Sequence, residues 1–179
     1  MSEAKSDSAP RWRKHSNMLL NAALMIVVFL AASAFQARNM LGTDRQAAPD
    51  LEATTLQGFE FDLGAADARP TLVYFFAPWC HYCALSSDNL VRLRRLREES
   101  SLRIITVALD WQNAAEVQEY AEQHKLNVPV LLGDASISGD WKVYGFPTYY
   151  VLNSERQIVR RDIGYTTQLG MLWRTWNVD

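Results

Sequence analysis

The chain has 179 residues, 49% of them hydrophobic, and a formal net charge of -2 at pH 7. That length holds one ordinary domain and an appendage, and that hydrophobic fraction excludes disorder throughout. The weak negative charge argues against a nucleic-acid partner, which needs a clustered basic surface, and 2 cysteines exclude a disulfide-rich scaffold.

Residues 1–17 are polar and end close to a basic cluster, Arg11, Arg13 and Lys14. From Met18 to Phe35 no charged residue occurs, and Leu24 to Leu30 would cover every face of a helix with apolar side chains. At about 1.5 Å per residue such a helix is roughly 27 Å long, close to the hydrocarbon thickness of a bilayer. The stretch 18–36 is therefore predicted to be a transmembrane anchor. The alternative is a signal peptide cut after Ala34, since Ala32-Ser33-Ala34 fits the cleavage pattern; the length of the run favours the retained anchor. In both readings the basic cluster stays in the cytoplasm and the chain beyond it is exported. In a bacterium the anchor would be a single pass of the inner membrane, with the rest in the periplasm, where disulfide chemistry is permitted. Residues 37–47 then read as a linker and 48–179 as one folded domain.

Thr54 to Leu63 reads as two short strands about the turn dipeptide Gln57-Gly58. Thr71 to Phe76 is a continuous apolar run, hence a buried central strand, stopped by Pro78. Leu85, Leu90, Leu93 and Leu96 fall near helical spacing, which predicts a helix from Cys83 to Glu98. Leu102 to Leu109 is a second buried strand. Ala114 to His124 is helical, with Val117, Tyr120 and Ala121 on one face, and Val128 to Leu132 is a short strand. Ser136 to Tyr144 reads as a short helix, Thr148 to Leu152 and Gln157 to Ile163 as a hairpin, and Thr166 to Trp176 as an amphipathic helix. Strands alternating with helices predict an α/β domain with its sheet covered on both faces.

Trp79-Cys80-His81-Tyr82-Cys83 places a C-x-x-C where the first buried strand meets the first long helix. A thiol at a helix N-terminus faces unpaired N–H groups and the positive end of the dipole. That setting favours the thiolate, which is the nucleophile of disulfide exchange. One turn further on, the second sulfur lies within bonding reach of the first. Cys80 is thus expected to be the exposed attacking thiol and Cys83 the one that resolves the mixed disulfide. Zinc would need further ligands, and beyond the anchor only His81 and His124 are available. A c-type haem needs His at the position of Ala84. A bridge closing so short a loop constrains the unfolded chain little. Redox function is the preferred reading, and no cofactor or metal is expected. A second reading, of a different class, is a module that holds a copper ion or a partner through the cysteines as soft ligands.

Ala77-Pro-Trp-Cys-His-Tyr-Cys83 resembles the active site of thioredoxin-like proteins. Ala48-Pro49-Asp50-Leu51, with Gly58 and Phe61, is similar to the entry hairpin of the membrane-anchored TlpA/ResA branch. Val107 to Asp110, the helix before His124 and Val128 to Leu132 resemble that branch's inserted helix–strand unit. Tyr144-Gly-Phe-Pro-Thr148 resembles the cis-proline segment, and Asn153 to Gly164 the final hairpin. The wording of Thr71 to Phe76 leans toward the ScsD-like protein disulfide oxidoreductases. The resemblance implies a thioredoxin-like fold with a central mixed sheet. It implies that Pro147 is a cis proline facing the sulfurs, with Trp79, Phe146 and Thr148 meeting the substrate. It also implies a reductant of disulfides in exported proteins, supplied with electrons by a membrane partner.

Departures accompany the resemblance. Many thioredoxin-like proteins carry a buried carboxylate six residues before the first cysteine; here that residue is Tyr74. Asp110 is a distant substitute and reads better as a strand-end cap. His81 beside the thiolate would stabilise negative charge and push the pair toward an oxidant. Arg92, Arg94, Arg95 and Arg97 read as the solvated face of a helix, Trp173 and Trp176 as core packing, and His124 as a complement to a helix dipole.

Overall fold

The computed structural model describes residues 18–28, 31–32 and 39–178. They divide into an N-terminal unit up to Arg38 and a second unit from Asn39 onward. In the first, residues 18–28 form a helix, α1, with every side chain exposed. The rest of the stretch expected as an anchor, except 31–32, lies outside the described residues, as does the 1–17 tail. Among the described residues no helix is long and apolar enough to cross a membrane.

The second unit is built on β1 (Glu52–Thr55), β2 (Glu60–Asp62), β3 (Thr71–Phe76), β4 (Arg103–Ala108), β5 (Val130–Leu132), β6 (Thr148–Leu152) and β7 (Ile158–Ile163). Its helices are α2 (His81–Leu96), α3 (Ala114–Gln123), α4 (Ala135–Asp140) and α5 (Gln168–Thr175). The strands form one sheet in the order β2-β1-β5-β4-β3-β6-β7. β4 is parallel to both β3 and β5, while the remaining pairs are antiparallel, so the sheet is mixed as expected.

β3 is buried along its whole length because both of its faces are covered. Leu72, Tyr74 and Phe76 face one core with Leu90 and Leu93 of α2, Val117 and Tyr120 of α3 and Met171 of α5. Val73 and Phe75 face the other, with Trp141, Leu51 and Leu63. The expected linker joins this second core from Met40 on. Met40 and Leu41 are buried, the Leu41 N–H donates to Tyr150 Oη at 3.4 Å, and Ala47 bridges to Gln157.

Several expectations are corrected. The inner stripe of α2 runs through Cys83, Ser86, Ser87, Leu90 and Leu93, so Leu85 and Leu96 fall off it and are exposed. Helix α4 ends at Asp140, not Tyr144, because Lys142 takes a left-handed conformation at φ 48° and its N–H closes back on Gly139. Trp141 then turns into the core and Tyr144 stands outside. Trp173 and Trp176 are exposed, not core residues: Met171 and Thr175, one turn apart, take the inner face of α5. Arg160 lies over the Trp173 ring and Arg97 over Trp176, each at 5.3 Å. Only Arg92 and Arg95 are fully on the solvated face of α2. Arg94 donates to the Leu102 carbonyl at 2.8 Å and Arg97 to the Thr175 carbonyl at 3.0 Å. His124 caps the C-terminus of α3, its ring against Tyr120.

Candidate active site

Beyond β3 the chain turns through Ala77-Pro78-Trp79, and Cys80 becomes the N-cap of α2. Its N–H donates to the Ala77 carbonyl at 3.0 Å, and its Sγ accepts from the Cys83 N–H at 3.2 Å. The sulfur therefore occupies the position of a capping oxygen, against the unpaired amides of the first turn. This geometry draws the side chain inward. Cys80 is only 6% exposed, which corrects the expectation of an exposed thiol. Cys83 lies one turn on, wholly inside, and both thiols are free.

Burial is the largest influence on Cys83 and pushes its thiol well above the ordinary range. Its contact with the Cys80 sulfur acts in the same direction, while the Ala77 backbone and Tyr74 act against it. Ser87 Oγ donates to the Cys83 carbonyl at 3.1 Å and pairs with Tyr120 Oη at 2.9 Å. The Tyr120 ring stacks on Phe76. Burial raises the Tyr120 phenol as well. Tyr74, Ser86, Ser87 and Tyr120 are thus site residues that sequence reasoning did not assign. The signal for the serines was their i+3 and i+4 spacing from Cys83.

The rim forms from the other side. Trp79 is 62% exposed; its indole N–H donates to the Asp110 backbone carbonyl and to Asp110 Oδ2, both at 3.1 Å. Asp110, left-handed at φ 52° after the end of β4, therefore holds the indole in place, which is a structural role. The Trp79 ring meets Phe146 edge-on at 5.9 Å. This joins the C-x-x-C turn to the Phe146-Pro147 bond, which is cis as expected. Thr148 does not meet the surface: it is 1% exposed, paired with Phe75 in the sheet, its hydroxyl on the Gly145 carbonyl at 2.7 Å. His81 is exposed and its ring meets only Tyr82. A groove of about 530 Å³ opens beside Phe146, lined in part by Asp110, Trp111, Asp134 and Tyr144. Among the described residues no three His, Cys, Asp or Glu side chains gather where an ion could be held.

The AhpC/TSA family model matches residues 45–161, more than half of the chain. The chain belongs to the AhpC/TSA family. It is 28% identical over 130 residues to the thioredoxin-like protein YneN of Bacillus subtilis, covering 70% of this chain and 75% of that one. It is 20% identical over 163 residues to the thiol-disulfide oxidoreductase ResA of Geobacillus kaustophilus, covering 87% and 92%. Its fold matches a thiol:disulfide interchange protein of the thioredoxin family from Chlorobium tepidum with a TM-score of 0.69, at 17% identity, over 77% of this chain and 99% of the other. The fold of this family member is thioredoxin-like, of the kind found in thiol–disulfide oxidoreductases.

Proposed function

We propose that this protein is a membrane-anchored thiol–disulfide oxidoreductase that reduces disulfides of exported proteins through Cys80 and Cys83. The observation that carries this reading is the division of labour within one turn of α2. Cys80 caps the helix with its sulfur on a backbone amide, and Cys83 is held inside with its proton. Cys80 attacks the substrate disulfide, forming a mixed disulfide and releasing one substrate thiol. Cys83 then attacks Cys80 Sγ, and the second substrate thiol leaves with the proton that Cys83 gives up. The products are a reduced substrate and a Cys80–Cys83 disulfide.

The reducing direction is supported by the resemblance to the TlpA/ResA branch, in which the relative ResA is a thiol-disulfide oxidoreductase. The anchor is supported by α1, where Met18 to Leu20 and Leu24 to Val28 all expose apolar side chains. The positive-inside rule then assigns the catalytic domain to the periplasm of a bacterium, with a membrane protein as its electron donor.

The test is insulin reduction by dithiothreitol. The protein is expected to accelerate precipitation and Cys80→Ala to leave it at background; equal behaviour of the two rejects exchange. Equilibration with glutathione tests direction. A reductant should lie nearer the about −270 mV of thioredoxin than the about −120 mV of DsbA.

A further inference from the structure

Tyr74 stands where the sequence departs from the buried-carboxylate pattern, and its hydroxyl is a buried polar atom with no hydrogen-bond partner. The residue is 1% exposed. Its ring is fixed between Phe76 and Tyr149, with centroids 6.4 and 6.2 Å away. The oxygen faces the Cys83 thiol and Ser86 without a hydrogen bond of normal geometry to either, and Ser86 Oγ gives its proton to the Tyr82 carbonyl at 2.9 Å. An unpaired buried hydroxyl is costly, and one aimed at a reacting atom calls for an explanation. The second such phenol, Tyr149, faces Asp162, Arg174 and Thr166 instead.

No base is at hand. Among the described residues no Asp or Glu is buried. The titratable groups about the Cys83 sulfur are Cys80 of the same helix and Tyr74 of β3, with Tyr120 of α3 close by. Burial holds the Tyr74 phenol far above its ordinary range, so it keeps its proton at any physiological pH. It is a donor, not a base.

We propose that the Tyr74 hydroxyl is the hydrogen-bond donor that stabilises the Cys83 thiolate during exchange, replacing base catalysis by a carboxylate with charge-assisted hydrogen bonding. This rests on the exchange reading above. In resolution the Cys83 thiolate attacks Cys80 Sγ, the Cys80–Cys83 bond forms, and the bond from Cys80 to the substrate sulfur breaks. That sulfur leaves with the bonding pair and takes up, through solvent, the proton Cys83 lost. Tyr74 keeps its own proton throughout. In the reverse direction the same donor receives Cys83 as the leaving thiolate, so the role does not depend on which way the electrons run.

The test uses the reduced protein and Ellman's reagent, whose released thiolate is coloured. The first release reports attack by Cys80, and the second reports resolution by Cys83. Tyr74→Phe removes one oxygen and keeps the ring stack. It should leave the first phase unchanged, slow the second about tenfold or more, and move its pH midpoint upward by about one unit. Its melting temperature should be no lower, since an unpaired buried hydroxyl has gone. Tyr74→Met, also without a hydroxyl, should give the same pattern and covers a folding failure of the first variant. A second phase with unchanged rate and pH midpoint, or equal slowing of both phases, overturns the proposal. If the unsubstituted protein releases no second coloured thiolate, the exchange reading itself fails.

Discussion

Cys80 and Cys83 belong to one turn of one helix, but their surroundings share little. Cys80 is flanked by exposed Trp79, His81 and Tyr82, and its sulfur lies on the amides of the helix end. Cys83 is enclosed by the sheet, with Tyr74, Ser86, Ser87 and Tyr120 nearby. A three-residue step along a helix moves a side chain from the helix end to the face against the sheet. That step alone yields one thiol at the rim and one held neutral within. An asymmetric pair of this kind attacks with one sulfur and stores the other until a mixed disulfide forms.

The largest way to break the comparison is to remove one sulfur at a time. Cys80→Ser should reduce insulin reduction to background. Cys83→Ser should keep the first attack and accumulate a mixed disulfide at Cys80, seen by mass spectrometry as one added substrate mass. Equal loss without a trapped adduct would contradict the assigned roles.

Next comes the inner face of α2, on which Cys83 lies. Leu93 of α2 is fully buried, and Leu93→Ala should cost about 2–5 kcal/mol in urea denaturation. Iodoacetamide should modify Cys80 before Cys83 in the reduced protein, and this substitution should narrow the difference by loosening the inner face.

A pH effect follows from the raised Cys83 thiol. Because the folded form holds its proton more tightly than the unfolded form, the contribution is complete below about pH 8.5 and is lost as pH rises above it. Reduced protein should therefore lose stability above about pH 8.5, with a slope of up to about 1.4 kcal/mol per pH unit from this one group. Cys83→Ala should flatten the onset, while the raised phenols of Tyr74, Tyr120 and Tyr149 add their loss only above about pH 10. The smallest effect belongs to the rim. Asp110→Ala leaves the backbone carbonyl to hold the Trp79 indole and should cost no more than about 1 kcal/mol, with little change in alkylation order.

The strands were legible because their apolar runs report burial directly: Thr71 to Phe76 is a strand as written, and β6 likewise. The C-x-x-C at a strand-to-helix junction was legible for the same local reason. The two tryptophans of the last helix were misread, because size and hydrophobicity do not say which side of a short helix meets the sheet. Arg97 and Arg160 cover those rings from other elements, and no local pattern announces that. The burial of Thr148, expected to meet the substrate, was not legible because its strand partner, Phe75, lies seventy-three positions back in the chain.

By itself, then, the sequence determined the alternation of elements, the place of the two cysteines in it and the apolar run at the N-terminus. All of these are carried by neighbouring residues. Tertiary structure alone decided that Cys80 too is drawn inside, that Asp110 holds Trp79, and that the Tyr74 hydroxyl faces Cys83 without a partner. Those facts depend on which residues from β3, α2 and α3 meet across the core, and only folding brings them together.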